Sequence, residues 1–232
     1  IQGALTNIGY VVAPNTVKNI LKRHGIEPAP ERKKRTSWKT FLKAHWDVMA
    51  ATDFFTVEVW TARGLVTYYV LFIMHLSTRS VHIAGGTTAP NGAYMKQVAR
   101  NLTDVSDGFL LNSRYLIMDR DTKYTEEFRD YLDREGVKPV RCPVRAPNCN
   151  AFAERFVRYI REECLDRMIL FGEASLRRAL REYVLHFHTE RNHQGVDNQL
   201  LKPLATVSST DEPIHCRERL GGMLNFYYRE AA

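Results

Sequence analysis

Three acidic residues stand in unlike settings, and together they suggest chemistry on phosphodiesters. Asp53 interrupts the apolar run Ala50-Ala51-Thr52-Asp53-Phe54-Phe55-Thr56-Val57, and Asp119 follows a second run, Tyr115-Leu116-Ile117-Met118. Glu154 lies in Pro147-Asn148-Cys149-Asn150-Ala151-Phe152-Ala153-Glu154-Arg155-Phe156, which reads as the opening of a helix. A carboxylate beside a buried strand is costly to desolvate unless a partner compensates it. A divalent metal can serve several carboxylates at once. In such a cage one cation activates an attacking water or hydroxyl, and a second stabilises the leaving oxygen of a phosphodiester. Mg²⁺ is the expected ion, with Mn²⁺ as the alternative, because no His or Cys cluster near the acids favours a softer metal.

The surrounding periodicities show how the chain would bring these residues together. Val48 to Trp60 and Leu65 to Leu76 are rich in β-branched and aromatic residues, and Arg63-Gly64 between them marks a hairpin turn. Arg79 to Ala84 reads as a third strand, Tyr115 to Met118 as a fourth and Val137 to Val140 as a fifth. Asn91 to Leu102 is a helical pattern, as is Glu126 to Glu135, with Thr125 as its cap and Gly136 as its end. Two more helices are expected at about 150–168 and 175–188. The order β-β-β-α-β-α-β-α-α implies an α/β fold, a mixed five-stranded sheet flanked by helices. Asp53 then lies mid-strand, and Asp119 at the carboxyl end of a strand, where α/β sheets tend to place ligand groups. In the helix after Glu154, a rotation of 100° per residue puts Glu154, Arg158 and Arg161 on one face. Phe156, Val157, Ile160 and Cys164 form a separate apolar stripe.

Composition narrows the partner. The net charge is +7 and the pI near 9.3, which suit a polyanion such as nucleic acid. No stretch is apolar for long enough to cross a bilayer, the longest being Leu65 to Leu76. The four cysteines form no C-x-x-C pair, and they read as reduced cytosolic thiols. Residues 1–26 read as a small helical segment, the second half of a helix-turn-helix, with Asn15 or Thr16 as cap and a basic face of Lys18, Lys22 and Arg23. Because the chain opens at Ile1 inside a helical pattern, a missing N-terminal portion is expected. Residues 27–46 read as a basic linker whose Arg32, Lys33, Lys34 and Arg35 would ride on phosphates. Residues 47–208 are the expected core and 209–232 a tail.

Four motifs in order give the chain a family likeness. Ala51-Thr52-Asp53-Phe54-Phe55-Thr56, Asp119-Arg120-Asp121-Thr122-Lys123-Tyr124-Thr125, the stretch from Pro147 to Phe156, and Tyr183 through His193-Gln194-Gly195 resemble the DDE integrase/transposase superfamily. The likeness is to the retroviral-integrase-like core of bacterial insertion-sequence transposases. The 34 residues between Asp119 and Glu154 are close to the family interval. The resemblance implies an RNase H-like fold and two-metal strand transfer, in which a DNA 3′-hydroxyl attacks a target phosphodiester. It implies Asp53, Asp119 and Glu154 as catalytic metal ligands, Asn150 and Lys123 as DNA contacts, and Arg158 and Arg161 as phosphate holders. It further implies transposon-end and target DNA as partners, at least a dimer, and a nucleoid-associated life in the bacterial cytoplasm. The chain departs from the pattern twice: Cys149 stands where the family often has Asp, and Asp121 rivals Asp119. The alternatives are a catalytically inactive or truncated element-derived DNA-binding protein, and a nuclease on the same scaffold.

Overall fold

The computed structural model describes residues 5, 6, 9–25, 38–143, 147–203 and 213–229, in two compact units, Ile1–Ala44 and His45–Ala232. In the first unit, helix α1 (Pro14–Arg23) begins two residues earlier than a cap at Asn15 would set it. Pro14 occupies the first helical turn, where its fixed φ and missing N–H cost nothing, and extended Ala13 is the N-cap in place of Asn15 or Thr16. Lys22 and Arg23 complete its last turn, where cations favour the helix dipole. Helix α2 (Trp38–His45) falls within the stretch read as linker, so that stretch is not a tether throughout. Its Trp38 and Phe41 rings lie 5.6 Å apart at the i, i+3 spacing of one helical face. Arg32, Lys33, Lys34 and Arg35 lie outside the described residues, as does most of the segment before Gly9.

The second unit is built on one sheet. Strand β1 (Met49–Thr61) pairs antiparallel with β2 (Gly64–His75), from Ala50↔His75 to Thr61↔Gly64. Gly64 closes the turn at φ 100°, a conformation that its missing Cβ permits. Strand β3 (Val81–Thr87) pairs antiparallel with β2, and the register shifts between Leu71 and Phe72. Helix α3 (Gly92–Leu102), capped by the Asn91 side chain, then crosses to β4 (Tyr115–Met118), which runs parallel to β1. Helix α4 (Glu126–Arg134), capped by Thr125, crosses to β5 (Lys138–Arg141), parallel to β4. The resulting order is β3-β2-β1-β4-β5. Helix α5 (Ala151–Glu163) and helix α6 (Gly172–Thr189) follow. The expected helix to Met168 stops at Glu163 and gives way to a 3₁₀ turn, Leu165–Arg167.

The two faces of the sheet carry separate cores. On one, Ala50, Leu71, Ile73, Leu116 and Met118 pack against Met95, Val98, Ala99 and Leu102 of α3 and Phe128 and Leu132 of α4. On the other, Phe55 and Phe72 lie 6.0 Å apart, Phe72 meets Phe156 of α5 at 4.7 Å, and Phe156 meets Phe187 of α6 at 5.2 Å. A three-layer mixed sheet in this strand order is the RNase H-like fold. The tail adds a hairpin, β6 (His215–Arg219) and β7 (Leu224–Tyr228), that the sequence pattern left as a single tail.

Candidate active site

Strand parity brings the acids to one face. Side chains alternate along β1, so Asp53 shares a face with Phe55, Val57 and Val59, which are all buried. Its direct partner across β2 is Phe72, the ring on which Phe156 of α5 packs. On the other side of β1 the parallel register sets Ala51 opposite Ile117, so continuing both strands by two residues sets Asp53 beside Asp119. Glu154 is in the first turn of α5, two residues before Phe156, on the helix that covers this face.

Electrostatics register the approach. The Asp53 carboxyl is pushed up to about 6 by burial first, and then by the negative charges of Asp119, Glu154 and Asp121. Its bond from the Phe54 N–H, 2.8 Å, pulls the other way without cancelling this. The cluster therefore holds more negative charge than its surroundings balance. Hard oxygen donors carrying excess charge are a donor set suited to Mg²⁺. As the side chains stand, however, no group of three or more His, Cys, Asp or Glu among the described residues is close enough to hold a metal ion. Asp53 and Asp119 each give one oxygen to a backbone N–H, and Glu154 is exposed.

The rival aspartate is otherwise engaged. Asp119 follows β4 directly, and its Oδ1 accepts the Asp121 N–H at 3.0 Å. Asp121 Oδ1 accepts the Lys123 N–H at 2.9 Å, and its Oδ2 is ion-paired to the Lys123 ammonium. Burial raises the Asp121 carboxyl, but these bonds to Lys123 outweigh it and hold the group below its ordinary value. Asp121 thus closes the turn after β4, and of the two aspartates Asp119 acts more strongly on the Asp53 carboxyl.

Several residues expected to touch DNA are placed differently. Lys123 spends its charge on Asp121 and lies over the Phe54 and Tyr69 rings. Asn150 is 6% exposed, so it faces the sheet rather than a surface groove, and its amide donates to the Thr52 carbonyl at 3.0 Å. That bond pins the start of α5 to the residue before Asp53. Asn150 Oδ1 has no protein partner. Arg161 shares the helical face of Glu154, but its long side chain reaches the Thr56 carbonyl at 2.9 Å and Asp166 at 3.7 Å. Arg158 is exposed, and among the described residues no ion pair joins it to Glu154. Phe156 and Ile160 are buried as their stripe requires.

The histidines near the end of α6 are joints rather than ligands. His186 Nδ1 meets Glu190 at 3.1 Å, His188 Nε2 accepts the Val81 N–H at 2.8 Å, and His193 donates to the Phe187 carbonyl at 2.7 Å. Tyr183 and Arg191 both bond to Glu163. Sequence reasoning missed Arg79 and Arg155, which flank the Phe152 ring at 5.0 and 5.9 Å, two residues before Glu154. Arg79 has φ 56°, in the left-handed region, a feature that no local motif announces.

Residues 135–199 match the family model of the integrase core domain, a span that takes in Glu154 and the histidine motif. No curated protein matches the chain significantly. Among solved structures, the chain is similar to a chain of a simian T-cell lymphotropic virus intasome in complex with PP2A regulatory subunit B56 gamma. The TM-score is 0.49 at 11% identity, over 78% of this chain and 66% of that one. It is also similar to the HTLV-2 integrase catalytic core domain in complex with magnesium. The trimeric form gives a TM-score of 0.49 at 8% identity, over 67% and 93% of the two chains. The dimeric form gives 0.46 at 10%, over 61% and 86%. The chain is thus similar to the integrase core domain over residues 135–199, on a sheet of strand order β3-β2-β1-β4-β5.

Proposed function

We propose that this protein cleaves DNA and transfers the cut strand into a target, with Asp53, Asp119 and Glu154 as its catalytic acids. The observation that supports this most is the setting of Asp53, whose carboxyl is lifted to about 6 first by burial and then by the charges of Asp119, Glu154 and Asp121. Asp53 and Asp119, fixed on adjacent strands, would hold Mg²⁺ or Mn²⁺, and Glu154 would close on it from the first turn of α5. The bound cations would supply neutralisation of the charge that builds on the attacking and leaving oxygens. Asn150 keeps α5 in place against β1, so Glu154 approaches from a fixed side. Arg158, exposed on the same helical face, would hold a DNA phosphate, as would Arg32, Lys33, Lys34 and Arg35. The helical segment at residues 1–26 and the basic stretch at 27–46 would bind along the DNA. Joining two ends calls for at least a dimer.

The test is strand transfer on labelled duplexes carrying the element ends, with Mg²⁺. Wild type should give joined products, and Asp53→Asn none. Hydrolysed products without joined ones would make the protein a nuclease. A second reading is a DNA-binding protein without catalysis, for which the basic character of the chain, net charge +7, would suffice. It requires DNA binding with neither cleavage nor Mg²⁺ binding.

A further inference from the structure

Two arginines with no part in the reaction proposed above meet over one ring. Arg79, in the turn between β2 and β3, sets its guanidinium 5.0 Å from the centre of the Phe152 ring. Arg155, one turn along α5 from Phe152, comes within 5.9 Å of the same ring. A third segment holds the first arginine: Arg79 Nη2 donates to the Gly195 carbonyl at 3.3 Å, and a Cβ at Gly195 would stand 3.0 Å from the guanidinium. Arg79 itself has φ 56°, a conformation uncommon for a residue with a Cβ. The two like charges also act on each other: burial first, and then the charge of Arg155, pull the Arg79 guanidinium below its ordinary value. Among the described residues neither arginine is ion-paired to a carboxylate, whereas Arg191, over the Tyr159 ring of α5, spends its charge on Glu163. A rotation of about 100° per residue puts Arg155 about 60° from Phe152 around α5, and Glu154 about 160° from it. The pair therefore opens on a different side of the helix from the acid.

We propose that Arg79 and Arg155 together bind a backbone phosphate of duplex DNA that passes on the side of α5 away from Glu154. A guanidinium presents a planar fork of N–H donors that matches phosphate oxygens, and one anion between the two forks offsets their repulsion. Phe152 and the Gly195 carbonyl fix the forks before the anion arrives, so little side-chain freedom is lost on binding. Arg155 is exposed and Arg79 half-buried, which lets a phosphate enter from solvent onto a partly dry surface. A strand held by Arg158, on the face of Glu154, would follow the other side of the helix. That the ligand is an anion rests on the two arginines, and that the anion is DNA rests on the function proposed above.

Phenylglyoxal labelling of the full chain, read by mass spectrometry with and without a random-sequence duplex and in the absence of Mg²⁺, tests the site. The duplex should protect Arg79 and Arg155 and leave Arg100 of α3, on the opposite side of the sheet, labelled. In binding isotherms Arg155→Gln should weaken the duplex about eightfold at about 0.1 M salt and lower the salt slope by about 0.9, the share of one phosphate. Arg155→Lys, which keeps the charge, should keep the slope. Gly195→Ala, which sets a Cβ against the Arg79 guanidinium without removing charge, should weaken binding at an unchanged melting temperature. Full labelling of both arginines in the saturated complex would overturn the site, as would an Arg155→Gln isotherm that superposes on wild type. Protection by inorganic phosphate with none by duplex would overturn the DNA assignment. The strand-transfer assay is read separately: protection without joined products sinks the proposed function and leaves the site standing.

Discussion

At the scale of single residues, Asp53 is the most constrained group. Its folded-state carboxyl lies above the usual 3.8, at about 6, so its contribution to stability is present in full below pH 3.8 and lost as pH rises through 6. Asp53→Asn should therefore stabilise the metal-free protein at pH 8 by about 1–3 kcal/mol, since two pKa units are worth at most about 3 kcal/mol. It should do little at pH 4, and thermal melts at the two pH values check this. Mg²⁺ should raise the melting temperature of wild type at pH 8 and not that of the variant. The two rival aspartates separate in the same way. Asp119→Asn should abolish joining, while Asp121→Asn, which loses only its bonds to Lys123, should keep activity within about tenfold, a cost near 1.4 kcal/mol. Duplex joining assays on the two variants decide it. The acids drew notice in sequence because Asp53 interrupts an apolar run, Asp119 follows one and Glu154 stands near the start of a helical pattern. The partners of Asn150 and Arg161 were not, because a helical wheel gives a direction but not the reach of a side chain to a carbonyl on another element.

At the scale of elements, α5 joins site to core. Its buried stripe of Phe156 and Ile160 holds it to the sheet, and Asn150 and Arg161 tie it to the β1 carbonyls of Thr52 and Thr56. Arg158→Ala should weaken DNA binding and its salt dependence without altering the melting temperature. Arg161→Ala should instead cost about 1 kcal/mol of stability, the usual worth of one such bond. Salt-dependent binding isotherms and melts on the two variants separate the roles. The strands and α3 to α6 could be read from sequence because their periods are unmixed. The hairpin β6–β7 could not: His215-Cys216-Arg217-Glu218-Arg219 is polar on both faces, and what holds it is distant. Helix α2 was hidden for a related reason, lying next to a basic, proline-bearing stretch.

At the scale of the whole second unit, ion pairs buried between α6 and the hairpin hold the tail to the core. Glu190 has no exposed side-chain surface and meets Arg219, His186 and Arg217. Burial alone would raise its carboxyl, but hydrogen bonds from Arg219 and His186 prevail and hold it at about 2. Its contribution is thus present above pH 4.5 and lost as pH falls toward 2. Arg219→Ala, which leaves Glu190 buried with fewer partners, should cost about 3–5 kcal/mol, measurable by urea unfolding at pH 7. His188 works in the same direction: burial, then Lys202 and His193, lower it to about 4, so the joint to Val81 is secure above pH 6.5 and weakens as pH falls through 4. The long-range pairing of β1 with β4 has a consequence in time. The ladder is short, Met49↔Tyr115 to Ala51↔Ile117, and it must wait for everything between those strands to be made. The hairpin β1–β2 forms early from neighbouring text, but its aspartate stays solitary until β4 docks, and Glu154 follows later still. On the ribosome, a growing chain therefore holds its three acids apart until most of its length has emerged, and a product of interrupted synthesis that ends before Glu154 carries the five strands and only two of the three acids.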